Sequence, residues 1–259
     1  MSKAVAKAQS TELADASMFE AYAGVGTDFN ANDVTIPRIG VLNALSEEIK
    51  TNSAKHIKDA GAGDLVDSGL GEILAKKGET FTFVPVARVR EVIVWKPRTR
   101  GGGIVLREAL DGTMDDWVAA NGFKLSEEKY EYKNSEGNEA IETWQYYGLV
   151  INDDDVYPAF LPMKKSNIKV AKKWNNMSGR IKLPNGDRAP LFYSTWLIGS
   201  FLDSANNNEW WNFTVEKGPN VLELPNKGEV FETSVSLLDI IKQGNYNAEL
   251  EPEVTDDRI

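Results

Sequence analysis

Between Thr80 and Lys96, Phe81, Phe83, Pro85, Ala87 and Val89 alternate with Thr82, Val84, Val86, Arg88 and Arg90, and Val92, Val94 and Trp95 continue the run. Alternation of period two predicts one long strand, because successive side chains of a strand point to opposite faces. Ile141 to Ile151 predicts a second long strand, Asn152 to Asp155 a turn, and Val156 to Leu161 its hairpin partner. From Lys164 to Met177 the spacing becomes helical, with Ile168, Ala171 and Met177 near one face and lysines around it. Leu191 to Leu202 and Trp210 to Val215, joined by an asparagine-rich stretch from Ser204 to Glu209, predict another hairpin.

The remaining segments carry weaker patterns. Thr35 to Leu42 is an apolar run punctuated by Pro37, which predicts an edge strand or an extended segment entering the core. Residues 52 to 72, rich in Gly, Ala, Asp and Ser, read as loop. Lys96 to Gly103 reads as a basic loop closed by three glycines, and Ile104 to Arg107 resumes extended structure. Asp111 to Asn138 reads as an insertion with a short helix over Met114 to Ala120. Val230 to Gln243 predicts a further strand and a final helix stopped by Gly244.

Several strands, a helix, then two more strands is the order of an OB fold, in which a helix joins the third and fourth strands of a Greek-key barrel. The fold class expected is therefore mainly β with α insertions, an OB-like Greek-key β-barrel with additional loops and helices. The domain organisation expected is an N-terminal arm with a short helix over residues 1–30, a nucleic-acid-binding domain over 31–245, and an acidic, disordered tail over 246–259, where Glu249, Glu251, Glu253, Asp256 and Asp257 cluster around Pro252.

Composition narrows the chemistry. The 259 residues include no cysteine, which removes disulfides, thiolate nucleophiles and cysteine-ligated metal centres. No apolar leader follows the start and no stretch approaches the roughly 20 apolar residues of a membrane span, so a cytoplasmic protein is expected, with no membrane partner. The net charge of −10 is unevenly spread. Arg88 to Arg107 holds six basic residues and one acid; Met163 to Pro190 holds eight and one. The rest of the chain has 15 basic and 37 acidic residues, a remainder of −22.

A groove for single strands needs cations to replace phosphate counterions and flat side chains on which bases stack. Both occur together in the basic segments. Arg88, Arg90, Trp95, Lys96, Arg98 and Arg100 are the candidates from the first; Lys164, Lys165, Lys169, Lys172, Lys173, Trp174 and Arg180 from the second; Tyr193, Trp196 and Trp210 are candidate stacking platforms on the strands that follow. Adjacent Trp210 and Trp211 face opposite sides of a strand, so at most one of them is deep in the core. The bland alternative is that the aromatics fill a barrel and the basic residues solvate it.

Evidence for catalysis is thin. His56, the sole histidine, sits in a polar stretch; no phosphate loop, nucleophile elbow or H-E-x-x-H pattern occurs. Asp153, Asp154 and Asp155 read as a solvated turn rather than a divalent-cation site. No enzyme activity, cofactor or metal is expected. The acidic tail either competes with nucleic acid for the basic groove, docks on basic faces of partner proteins, or is a solvated end.

The run Thr35-Ile-Pro-Arg-Ile-Gly-Val-Leu42 with Leu45-Ser46, the segment Val84 to Trp95 with Arg98, and Lys164-Lys-Ser-Asn-Ile-Lys-Val-Ala-Lys-Lys-Trp-Asn175 followed by Pro190 and a Tyr193/Trp196 strand resemble a diverse group of bacteriophage single-stranded DNA-binding proteins, over roughly residues 33 to 216. That resemblance implies an OB-fold core, coating of exposed strands during DNA replication and recombination in an infected host, and replication or recombination proteins as partners of the tail. The tail departs from the common bacterial pattern by ending in Arg258-Ile259. The alternatives are a phage interaction or virion-assembly module with an acidic protein partner, and a metal-dependent nuclease or nuclease accessory protein using Asp153 to Asp155.

Overall fold

The computed structural model describes residues 36–126, 131–152, 155–205 and 208–244; the arm over residues 1–30 and the tail over 246–259 lie outside them. The architecture is mainly β with antiparallel sheets. Its spine is two long strands, β4 (Phe81–Trp95) and β8 (Glu139–Asn152), paired antiparallel along nearly their whole length. Three short strands precede them, β1 (Ile39–Val41), β2 (Leu65–Asp67) and β3 (Glu72–Ala75), and form a separate antiparallel sheet. The spine is flanked by β5 (Ile104–Ala109), β6 (Lys124–Ser126), β7 (Glu131–Lys133), β9 (Asp155–Lys164), β10 (Ser194–Ala205) and β11 (Asn208–Asn220). The helices are α1 (Met114–Ala120), α2 (Asn167–Ser178) and α3 (Lys227–Lys242).

Because β4 and β8 are longer than their neighbours, the sheet has two ends. At one the order is β11-β10-β4-β8-β9; at the other it is β5-β4-β8-β7-β6. The ends take different covers. At the first, α2 and the β1–β3 sheet lie on one face over Phe81, Phe83, Tyr146 and Val150, while α3 lies on the opposite face over Val84, Val86, Tyr147 and Leu149. At the second, α1 packs through Met114 and Val118 on Val92, Val94 and Ala140. Thr113 starts α1 by accepting the Asp116 N–H at 3.2 Å, an N-cap of ordinary kind.

The eight-stranded sheet does not close on itself, so the expected Greek-key barrel is corrected to an open sheet. The reason lies in residues 36–42. Pro37 accepts the Phe160 N–H at 2.9 Å but has no N–H to return, a single parallel bridge joins Arg38 to Phe160, and β1 then turns away to pair with β2. Three further expectations are corrected. Residues 52–72, read as loop, contain β2 and the approach to β3, strands too short to display a period. The 111–138 insertion holds two short strands besides its helix, and Val230 to Gln243 is helical throughout, with Val230, Ser234, Leu237 and Ile241 buried at helical spacing.

One irregularity governs which side chains share a face. Between Pro85 and Ala87 the register of β4 slips by one residue against β8, where Pro85 pairs with Gly148 and Ala87 with Tyr147. The bulge accommodates a proline in a central strand and flips the alternation, so Arg88 and Arg90 join the face of Phe81 and Phe83 rather than that of Val84. Gly148 makes the close approach work: a Cβ there would lie 2.2 Å from the Val84 carbonyl oxygen and 2.5 Å from Cζ of Phe83. Gly148→Ala should lower stability by about 1–3 kcal/mol, the usual cost of overpacking, read as a fall in the denaturant midpoint. An unchanged midpoint would mean the bulge is not rigid.

A buried carboxylate ties the first sheet together. Asp64 accepts the backbone N–H groups of Gly61 and Lys77, each at 2.9 Å, and the Lys76 ammonium at 3.1 Å. Burial by itself would raise its pKa, but these bonds to the anion outweigh it and hold the group below the ordinary value of 3.8. A depressed carboxylate stabilises the fold above its unfolded pKa, and that contribution disappears as pH falls through the folded one. Asp64→Asn should therefore melt lower than wild type at pH 7, with the two melting temperatures converging as pH is taken below about 4.

Candidate nucleic-acid interface

α2 is fastened by the aromatic side chain that its lysines surround. Trp174 is 1% exposed, stacks on Tyr146 with ring centroids 4.3 Å apart, and meets Phe83 and Trp196 edge-on. The Tyr146 hydroxyl donates to Asn175 Oδ1 at 2.8 Å, and burial pushes its pKa up. Trp174 and Trp196, the latter 0% exposed, are thus corrected from stacking platforms to core: their rings fill the space between helix and sheet and present no face to a base. The signal for Trp174 was present in the sequence, since it follows Ala171 by three residues on the same helical face.

Seating Trp174 inward turns the neighbouring cations outward. Lys169, Lys172 and Lys173 are exposed along α2, and Arg180 and Lys182 continue beyond it. No acidic residue lies between Val156 and Gly186. Lys169 is 3.7 Å from Asp203; Lys172, Lys173, Arg180 and Lys182 have no ion pair among the described residues. The outcome is a cationic ridge supported by a rigid aromatic core.

The first basic segment behaves differently. Arg90 pairs with Glu142 at 2.7 Å and donates to the Gly112 carbonyl; Arg100 donates to the Glu136 carbonyl and to Asn138 Oδ1. Arg107 grips Glu91 through two nitrogens at 2.8 and 2.9 Å and reaches the Tyr147 hydroxyl. Burial alone would lower the Arg107 pKa, but Glu91 overrides it and raises the pKa. Arg90 is therefore corrected from a free phosphate contact to a partner of Glu142, while Arg100 stays exposed with its guanidinium held by Glu136 and Asn138. Arg88 and Arg90 sit over the ring of Trp144, at 5.1 and 5.6 Å, on the face that carries α2. Lys96 is exposed, and Trp95, half-buried, ends β4 opposite Glu139. Arg98 opens a short 3₁₀ turn, and its side chain lies outside the described part. Trp95, Lys96, Arg98 and Arg100 thus lie at the β5 end of the spine, where Lys165 of the second segment reaches Glu139 at 3.3 Å.

At the other end of α2 the sequence candidates converge. Lys164, Lys165 and Trp210 line a cavity of about 240 Å³ together with Arg38, Ser166 and Asn167, none of which the sequence singled out. The cavity lies at the seam that strand pairing leaves open, between residues 38–48 and β11. Side chains stitch that seam: Asn43 Oδ1 accepts the Trp211 N–H at 2.7 Å, and Asn167 Oδ1 accepts the Phe213 N–H at 3.0 Å. Gly63 packs flat on the Trp211 ring, 2.9 Å from a would-be Cβ to the nearest ring carbon. The Trp210 indole N–H donates to Ser166 Oγ at 3.0 Å, and Ser166 in turn donates to Asn212 Oδ1 at 2.8 Å. Ser166 is the N-cap residue of α2, but its hydroxyl is engaged in this way and makes no capping bond, and Lys165 before it has a φ of +49°. The first-turn N–H groups, with the partial positive charge of a helix N-terminus, are left without a side-chain cap beside two lysines.

Tyr193 is half-buried in a 3₁₀ turn and belongs to neither place. His56 is exposed, with Nδ1 3.2 Å from the Glu48 carbonyl oxygen. Of the three aspartates weighed as a cation site, Asp153 and Asp154 lie outside the described residues, and Asp155 is exposed at the start of β9. Among the described residues no group of three His, Asp or Glu side chains is placed to hold a metal, and no helix is long and apolar enough to cross a membrane.

The family model of the Pam3 phage gp34-like protein matches residues 6–247. Comparison with curated proteins and with solved structures gives no match. With nearly the whole length matched, the chain belongs to the Pam3 phage gp34-like protein family.

Proposed function

We propose that this phage protein binds single-stranded nucleic acid, with DNA the expected form, along the ridge of α2 and into the cavity at its N-terminal end. The observation that carries this reading is the placement of Lys169, Lys172 and Lys173, exposed on one helix that itself holds no acid, with Asp203 at 3.7 Å from Lys169 and no ion pair at Lys172 or Lys173 among the described residues, in a chain whose net charge is −10. An ordinary solvated surface of so acidic a protein would mix signs evenly; a ridge on which cations outnumber carboxylates attracts polyanions. Lysine contacts to phosphate carry no sequence information, so binding tolerant of sequence follows. The role is that of a coating protein in phage replication or recombination, without catalysis and without a cofactor.

The basic arginines of β4 do not contribute equally in this reading. Arg88 extends the ridge across Trp144, whereas Arg90, Arg100 and Arg107 hold the sheet together. Lys172→Glu combined with Lys173→Glu should weaken binding to every single-stranded sequence and flatten the dependence of log affinity on log salt by about 0.7 for each lost phosphate contact. Arg100→Gln should leave that slope unchanged. Affinities measured by fluorescence anisotropy at several salt concentrations separate the cases, and an unchanged slope in the double lysine variant would remove the ridge from the site.

A further inference from the structure

The cavity at the seam has features that a phosphate-binding ridge does not require. About 240 Å³ is below the roughly 300–1,000 Å³ of pockets for drug-sized ligands, which suits one flat ring system rather than a larger molecule. Ile39, Val41 and Leu42 give it apolar lining and Trp210 an aromatic one. Hydrogen-bond acceptors are also present: Glu48 lines the cavity and its Oε2 has no hydrogen-bond partner, and Glu209 lies at the same wall. Lys164 and Lys165 line it too, the Lys165 ammonium 3.3 Å from Glu139, together with Ser166 and Asn167 at the start of α2, which has no side-chain cap. Apolar walls, an aromatic ring and carboxylate acceptors would repel an isolated phosphate, whereas a nucleobase matches all three and brings its phosphate to the cationic rim.

We propose that this cavity takes a single unpaired nucleobase, stacked on Trp210 among the apolar lining of Ile39, Val41 and Leu42, with the adjoining phosphate at Lys164, Lys165 and the start of α2. The proposal deepens the strand-binding reading and rests on it. The cavity then acts as a fixed register point: the strand is anchored at one base and runs outward over Lys169, Lys172 and Lys173. A paired base cannot enter without leaving its duplex, which gives single strands their preference. Carboxylates in the lining favour groups that present amino or imino N–H donors, which every base has for Glu48 and Glu209 and an abasic sugar lacks.

The test uses the full chain labelled with ¹⁵N, in which the seven tryptophan indole N–H groups report separately and Trp210 is assigned from Trp210→Phe. Four probes are titrated: a cytosine oligonucleotide, an all-abasic strand of equal length, cytidine 5′-monophosphate and inorganic phosphate. The expected result is a shift of the Trp210 indole signal with the oligonucleotide and the monophosphate, and none with the abasic strand or phosphate. Affinity for the oligonucleotide should fall about five- to hundred-fold in Trp210→Ala, the loss of one stacked base, and much less in Trp210→Phe. Equal shifts with the abasic strand or with phosphate would reduce the cavity to an anion site and overturn the proposal, as would unchanged affinity in Trp210→Ala. If wild type binds neither strand yet the indole responds to the monophosphate, the strand-binding reading fails and the base cavity stands. No response to any probe sinks both.

Discussion

Everything that faces solvent on the α2 side depends on the close approach of β8 to the bulge in β4. The slip between Pro85 and Ala87 is held where Gly148 lies under the Val84 carbonyl, too near for any side chain. Before the slip, Phe81 and Phe83 form the floor on which Trp174 sits; after it, Arg88 and Arg90 occupy the same face and lean on Trp144. Without the extra residue the two arginines would point into the layer beneath α3, where Val84, Val86 and Leu149 are packed. A single unpaired position therefore decides that the cations of β4 and those of α2 lie on one side of the sheet.

Arginine and lysine divide the work between structure and surface. The guanidinium fork suits two-point contacts, and Arg107 with Glu91 and Arg90 with Glu142 use it to join strands from within. Lysine, a hydrated point charge on a flexible stem, sits outside on α2 with its ammonium in water. The two basic segments look alike as counts of charge, yet in the first Arg90 and Arg107 are taken up in joining strands, whereas the lysines of α2 lie outside. Charge segregation along a sequence locates candidate surfaces only after the internal carboxylate partners are known.

The long elements were legible because they repeat their period many times. β4 and β8, with fifteen and fourteen residues, and α2, with twelve, fall close to the positions their patterns predict. β1, β2 and β3 have three or four residues each and show at most two turns of alternation, so residues 52–72 read as loop. The bulge was invisible for a related reason: alternation read through Pro85 without interruption places Arg88 with Val84, and nothing local announces the slip. Which aromatics are buried was also hidden. Trp174 lies among lysines and Trp210 beside a glutamate, yet the first is core and the second lines a cavity, because their fates are set by Tyr146 and by residues 38–48, distant in sequence. The segment Lys164–Asn175 combines both outcomes, with Lys165, Lys169, Lys172 and Lys173 exposed and Ala171 and Trp174 buried.

The open edge of the sheet explains why the cavity is where it is. A closed barrel would satisfy the edges of β9 and β11 by pairing them and fill the interior with side chains. Here β9 meets residues 36–38 at a single parallel bridge, where its Phe160 N–H donates to the Pro37 carbonyl, and β11 is met on that side by the side chains of Asn43 and Asn167. Side chains reach farther than a backbone ladder, so the two edges stand apart and leave room between them. Edge groups that are partnered in this way are protected from pairing with another chain, while the space they enclose stays polar at its rim and apolar within. The same serine that would cap α2 is drawn into the stitching with Trp210 and Asn212, which leaves the helix terminus electropositive where the seam opens. Failure to close the barrel and exposure of a helix N-terminus are thus one feature of the fold, and its geometric product is a cavity of about 240 Å³ whose lining includes Lys164 and Lys165.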